Sequence, residues 1–378
     1  VKEFMICLLL ISSQLILTFS ALDLLIFYVF FESILIPMFF IVGIFGARSK
    51  KIYAAYYLFL YTLVGSMFLL LGILYIYSIA HTTNINLLYL INFTKNEQII
   101  LWLAFFIAFA IKVPLMPFHI WLPEAHVEAP TTGSVILAGL LLKLGVYGLI
   151  RFSIPLFPYA TKLFGPTVSF ICAIAIIYVS TTTFRQIDFK RIIAYSSIAH
   201  MNFVVIGLFS LNAEGLVGAI MLMVSHGIVS SALFLTVGML YDRYKTRLVN
   251  YYSGLVMVMP LFSVVFLFFI LGNLSFPGTS GFLSEYLILI SIFQEQPITG
   301  IIAGAGLILN AAYSIWLYNR LCFGYLKISY IKQYSDMNLE EALILAPFLV
   351  LLLLVGIYPQ FFVDIIYDSS IKLLLQIF

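Results

Sequence analysis

Phe109 to Pro130 reads FAIKVPLMPFHIWLPEAHVEAP. Lys112 comes at the end of about a dozen almost wholly apolar residues, Pro114 and Pro117 follow within five positions, and His119, Glu124, His126 and Glu128 arrive soon after. Each proline removes a backbone donor and bars a continuous helix. The stretch therefore reads as a helix broken at a lysine in the middle of an apolar run, and the rest of the chain decides what surrounds it.

The 378 residues are 63% hydrophobic, 17% aromatic and 9% charged, against roughly 25% charged in soluble globular domains. Mean hydropathy is +1.12, and apolar runs of about 20 residues, the length that crosses a bilayer core, recur along the chain. This composition excludes a water-soluble protein and predicts an all-α polytopic membrane protein whose apolar surface lies in lipid. The net charge of +3 is too small for a nucleic-acid-binding protein. Cys7, Cys172 and Cys322 are far apart with no CxxC pair, so the chain offers no thiolate set for an iron-sulfur cluster or structural zinc, and no disulfide framework. Phe4 to Ser20 lacks the positive n-region of a signal peptide and is followed at once by another apolar run, so it reads as a membrane span.

Apolar runs bounded by Pro, Gly and charge give eleven spans: about 4–21, 23–44, 53–79, 98–117, 131–151, 167–184, 192–210, 215–241, 253–293, 298–319 and 342–358. The ninth is too long for one straight crossing and is interrupted by NLSFPGTSG, Asn273 to Gly281, so it reads as a second broken helix. With these spans, 13 of the 19 Lys and Arg residues fall on one side: Lys2, Arg48, Lys50, Lys51, Arg185, Lys190, Arg191, Arg243, Lys245, Arg247, Arg320, Lys327 and Lys332. The positive-inside rule puts that side in the matrix or cytoplasm. The two broken helices, interrupted after Lys112 and before Glu285, are five spans apart. Five is odd, so the units repeat upside down in the membrane, and broken helices at matching positions of inverted repeats point to an ion site near the midplane. The domain reading is a single membrane domain over 1–378, with repeat one at about 4–151, repeat two at about 167–320, and a C-terminal helix and tail at 342–378.

Six titratable residues lie within spans: Glu32, Lys112, Lys143, His200, His226 and Glu285. At roughly 2.5–3.5 kcal/mol for each charge at the bilayer centre, the two lysines and two glutamates alone would cost about 10–14 kcal/mol. They must be paired, neutralised or hydrated. Glu32 is the natural partner of Lys112. Lys143, in GLLLKLGVYG, has no acid in its own span, but Gly139 and Tyr147, one turn to either side, let a neighbouring helix or water approach. His200 in SSIAHMN and His226 in MVSHGIVSS sit among Ser and Asn, and imidazole titrates in the range a proton relay needs. Glu285 either serves the relay or caps a half-helix N-terminus. His119, Glu124, His126 and Glu128 lack the HxxxH or HExxH register of a metal site, so their segment reads as an interfacial lid or re-entrant piece. The small-residue pair Gly300 and Gly304 reads as helix packing.

FYVFFESILIPMF, IKVPLMPFHIWLPEAHVEAPTTGSVILAGLLLKLGVYG, AYSSIAHMNFVVIGL, SHGIVSSALF and FPGTSGFLSEYLIL resemble successive landmarks of the NADH:ubiquinone oxidoreductase chain 4 family, the proton-pumping antiporter-like subunits of respiratory complex I. The resemblance runs from about Ile6 to the last span. It implies an antiporter-like fold of fourteen helices with two inverted five-helix repeats, of which three helices would precede the point where this sequence begins. It implies a relay of Glu32, Lys112, Lys143, His200, His226 and Glu285. The acid at 285 favours chain 4 over the sister antiporter-like chains, which usually carry lysine there. It further implies no cofactor in this chain, with NADH, FMN, iron-sulfur clusters and ubiquinone in partner subunits. The partners would be other membrane-arm subunits, including the sister chains, and the lipid bilayer, and the location would be the mitochondrial inner membrane or a bacterial or plastid energy-coupling membrane. A cation/proton antiporter subunit of a multi-subunit exchanger shares the same Glu, Lys and broken-helix plan and is the alternative reading.

Overall fold

The computed structural model describes residues 2–327 and 334–377. Lys332, one of the basic residues of the sidedness reading, lies outside the described residues. The helices are α1 (Lys2–Ser20), α2 (Leu24–Phe45), α3 (Lys51–Ala80), α4 (Lys95–Lys112), α5 (Trp121–Glu128), α6 (Thr131–Leu156), α7 (Pro158–Thr183), α8 (Phe189–Phe209), α9 (Ala213–Tyr244), α10 (Pro260–Asn273), α11 (Phe282–Glu295), α12 (Pro297–Cys322), α13 (Leu339–Ile357) and α14 (Gln360–Ile377). Nine of these, among the described residues, are long and apolar enough to cross a membrane. The two expected spans missing from the nine are the broken ones, α4 with α5 and α10 with α11. The protein is an all-α polytopic membrane protein. The sequence 359–378, read as tail, is for the most part the helix α14.

Contacts divide the chain into two compact units. The first comprises 1–133, 140–166 and 373–378, and the second 134–139 and 167–372. Helix α6 thus contributes to both, through residues 134–139 to the second unit and 140–156 to the first.

A local joint recurs in the two units. In the first, Asp23 caps α2 by accepting from the Leu25 and Ile26 N–H groups, and it bridges to Asn84 just after His81 ends α3 in a left-handed conformation. In the second, Asp188 caps α8 through the Lys190 N–H and bridges to Leu248 just after Lys245 ends α9 in the same left-handed conformation. His81 to Lys245 and Asn84 to Leu248 are each 164 residues apart. A short polar side chain satisfies the orphan donors of the helix start at both joints.

The breaks are closed by hydrogen bonds, as unsatisfied backbone cannot face lipid. At the first, the Phe109 and Ala110 carbonyls accept from the Val113 and Leu115 N–H groups at 2.8 Å each, and the Trp121 indole donates to Ile111 O at 2.9 Å. At the second, the Leu274 and Phe276 N–H groups return to Ile270 O and Leu271 O at 2.9 and 3.0 Å, with Ser275 and Gly278 at positive φ making the turn.

Close helix contact is made by glycine. A Cβ on Gly65 or Gly72 of α3 would stand 2.9 Å from Ile111 or Phe105 of α4. The Gly300/Gly304 reading is half corrected: Gly304 faces open space, and the tight contact of α12 is at Gly306, where a Cβ would come 2.4 Å from Ile176. Two basic residues of the sidedness reading are buried rather than solvated. Lys190 donates from Nζ to Ser134 Oγ at 3.4 Å, and the Arg247 guanidinium lies 4.3 Å from the Tyr241 ring centroid. Long aliphatic stems allow both to fill apolar space while the charged head meets polar or aromatic groups.

Candidate proton-relay site

In the first unit, Glu32, Lys112 and Lys143 sit where helices α2, α4 and α6 lose regularity. Helix α2 interrupts its hydrogen bonding at Ser33 and Ile34, because Pro37 has no N–H to give to Ser33 O and its ring crowds that carbonyl. Glu32 sits immediately before this kink, with Ser66 of α3 and Tyr28 one turn earlier beside it. Lys112 is the last residue of α4 before the proline break and is 3% exposed. Glu32 and Lys112 interact electrostatically, but not by a direct hydrogen bond: Glu32 Oε1 and Lys112 Nζ are both buried without a hydrogen-bond partner. The ammonium instead lies 4.5 Å from the Phe31 ring centroid. Consecutive helical residues point about 100° apart, so presenting Phe31 to the lysine turns Glu32 aside.

The expected coupling is therefore that of two charges acting through space. Single removal of either Glu32 or Lys112 leaves the other uncompensated in the bundle, and we expect the double variant to be more stable than the additive sum by about 0.5–3 kcal/mol. Thermal denaturation of the purified assembly with both single variants and the double variant measures it; strict additivity would mean the charges are independent.

Lys143 occupies the short α-helical stretch Leu142–Gly148 of α6, which is bounded by π-helical turns at Leu137–Leu141 and Leu149–Ser153. Such turns widen the helix, leave backbone groups available, and gather at functional sites. Nothing in the residue pattern signals them. Gly145 and Gly148 supply the close approach: a Cβ on Gly145 would meet Lys112 Cβ at 3.0 Å, and one on Gly148 would run into the Phe109 ring. The helix bearing Lys143 thus lies directly against the one bearing Lys112. Gly139 packs instead on Ser231, and Tyr147 donates to Phe19 O at 3.2 Å, anchoring α1.

In the second unit, α8 is central: all its residues except Arg191 and Tyr195 are buried. His200 of α8, His226 of α9 and Glu285 of α11 come together there. His200 Nδ1 is 3.2 Å from Glu285 Oε1, and the two imidazole centroids are 5.7 Å apart. Ser225 and Ser280 hydroxyls meet at 3.0 Å beside them. Glu285 lies in the first turn of α11, but no side chain caps that helix. Its carboxylate is directed to His200, so the capping role does not describe this geometry.

Two residues of this cluster were missed in the sequence. Asn310 of α12 places Nδ2 3.4 Å from His200 Nε2 and 3.2 Å from Asn273 O, at the end of α10. Asn273 Nδ2 in turn donates to Ser314 Oγ at 3.0 Å. Tyr313 is 1% exposed and lies near Glu285, Asn273 and Ser196. An Asn in the run GLILNAAYS, with Tyr and Ser three and four residues on, was the available signal, since those spacings share one helix face.

Of the segment read as an interfacial lid or re-entrant piece, Trp121–Glu128 is a short, largely buried helix packed on α3. Among the described residues, no group of three or more His, Cys, Asp and Glu could hold a metal ion.

A fold of two breached helices with buried lysines, imidazoles and carboxylates defines the proton-antiporter class of membrane subunit. The family model described as NADH:quinone oxidoreductase/Mrp antiporter, TM, matches residues 21–311. NADH-ubiquinone oxidoreductase chain 4 of Marchantia polymorpha is 58% identical over 368 residues, covering 97% of this chain and 74% of that protein, and the chain 4 of Chondrus crispus is 57% identical over 373 residues, covering 99% and 76%. A chain of respiratory complex I from Thermus thermophilus, solved with bound NADH, superposes with a TM-score of 0.92 at 31% identity, covering 99% of this chain and 80% of that one. The Mrp complex from Dietzia shares the fold at 20% identity, with a TM-score of 0.86. The chain belongs to the NADH-ubiquinone oxidoreductase chain 4 family. It is a proton-translocating membrane subunit of NADH:ubiquinone oxidoreductase.

Proposed function

We propose that Glu32, Lys112 and Lys143 in the first unit and His226, His200 and Glu285 in the second are successive stretches of one proton relay, driven by quinone reduction elsewhere in the complex. The observation that carries this reading is the buried His226, His200 and Glu285 series, with the carboxylate 3.2 Å from imidazole nitrogen. Ionisable groups are kept at membrane depth at considerable cost and mark proton paths there. The recurring Asp-capped joints and the two broken helices support a single membrane domain built of two inverted repeats, about 4–151 and 167–320, followed by the C-terminal helices. Glu285 follows the second break and serves as the exit group.

No redox cofactor resides in this chain in the proposed assembly. NADH, FMN, iron-sulfur clusters and ubiquinone are bound by partner subunits, and the sister antiporter-like chains are neighbours in the membrane arm. The membrane is the mitochondrial inner membrane, a reading supported by plant and algal chain 4 relatives.

The test is His200→Ala in the assembled complex. We expect NADH-driven proton uptake into vesicles, measured per assembled complex because the change leaves the buried Glu285 without its partner, to fall by about tenfold or more, equivalent to at least about 1.4 kcal/mol on the limiting step. Proton uptake equal to the parent's in assembled His200→Ala complex would remove the second stretch from the path.

A further inference from the structure

Asn310 makes a demand on His200 that the relay must meet. Its Nδ2 faces both Asn273 O, at 3.2 Å, and His200 Nε2, at 3.4 Å. An amide nitrogen only donates, and the backbone carbonyl only accepts, so the bond to Asn273 O determines which end of the amide is nitrogen. His200 Nε2 then presents a lone pair. A neutral imidazole in this arrangement carries its proton on Nδ1, which lies 3.2 Å from Glu285 Oε1 without a formed hydrogen bond. Asn310 is 3% exposed, and its Oδ1 is buried without a hydrogen-bond partner. An idle buried acceptor costs free energy and calls for an explanation.

We propose that Asn310 is a positioning residue that sets the tautomer of His200, and that its side-chain amide turns over each time a proton passes. The proposal rests on the relay reading of His200 and Glu285. A proton reaching Nε2, from a neighbouring imidazole or water, forms an imidazolium whose new N–H meets the Asn310 amide donor head on. A half-turn of the amide brings the idle Oδ1 round to accept from Nε2–H, at the expense of the bond to Asn273 O. The Nδ1 proton then leaves for the Glu285 carboxylate, giving a neutral acid and a neutral imidazole that keeps the proton on Nε2. One proton enters and one leaves, and charge is conserved. Glu285 then passes its proton on, turnover of the imidazole ring carries the remaining N–H back to the Glu285 side, and return of the amide to Asn273 O favours that arrangement and closes the step. The titratable groups around His200 are Glu285 from α11 and His226 from α9, and Tyr313 from α12 acts on Glu285.

Two variants test this in membrane vesicles that carry the assembled complex, with NADH-driven proton uptake measured from about pH 6 to pH 9. Asn310→Leu keeps the volume and removes both ends of the amide; we expect uptake to fall about tenfold or more, whereas a packing residue in an apolar bundle tolerates leucine. Asn310→Asp can accept but not donate and so favours a proton on Nε2; we expect the alkaline limb of the pH profile to move up by about one unit or more. Parent-like uptake in Asn310→Leu, or an unshifted profile in Asn310→Asp, overturns the proposal, and if the Asp variant fails to assemble the Leu variant decides alone. His200→Ala separates the two levels: if it pumps normally the relay reading fails and Asn310 with it, and if it is blocked while both Asn310 variants behave as the parent, only the role of Asn310 is wrong.

Discussion

Replacing Lys143 with alanine is expected to abolish proton translocation while leaving the complex assembled. The lysine sits in the short α-helical stretch between two π turns of α6, and the opposite face of that stretch, carrying Gly145, lies on Lys112. Alanine suits the helical stretch and adds no bulk, so the assembly should survive the change. The loss should therefore appear in proton uptake per NADH oxidised, at least about tenfold, with the amount of assembled complex on native gels unchanged. Full pumping by an assembled Lys143→Ala complex would count decisively against Lys143 as the central relay.

Glu285→Gln should be nearly as severe, for a different reason. Glutamine keeps the size and the oxygen that faces His200 Nδ1, so packing and the His200 tautomer survive. What it loses is the ability to take up the proton and become neutral acid. We expect uptake to drop about tenfold or more at every pH at which the complex is intact. A residue that merely favoured the α11 N-terminus would survive the change, because the dipole contribution of such a charge is only about 0.3–1 kcal/mol. Normal pumping across the accessible pH range would return Glu285 to a structural role and exclude it as the exit group.

Much of the fold was legible because lipid imposes linear rules. A span must be apolar for about 20 residues, its prolines and glycines mark breaks, and its charges stand out against the background. Hence the nine long apolar helices, the interruptions after Lys112 and before Glu285, and all six titratable residues within the apolar runs could be read directly. The chain 4 resemblance rested on the same landmarks. Lys190 and Arg247 show what a count by side leaves out: both are buried, against Ser134 and Tyr241.

What the sequence by itself determined, then, is the class of protein, the positions of the long apolar helices and which polar residues interrupt apolar runs, because each depends on the composition of one segment at a time. Only the tertiary structure decided which of them meet. It put Lys112 over Phe31 instead of in a direct bond with Glu32, turned Glu285 to His200 instead of to its own helix end, and brought Asn310 to the far nitrogen of that imidazole. It also introduced the π turns around Lys143. These are properties of facing helices, set by where glycines such as Gly145 allow backbones to approach and by how a kink at Pro37 or a break at Pro114 rotates one face relative to the next. A periodicity read along one helix carries no record of its neighbour's rotation.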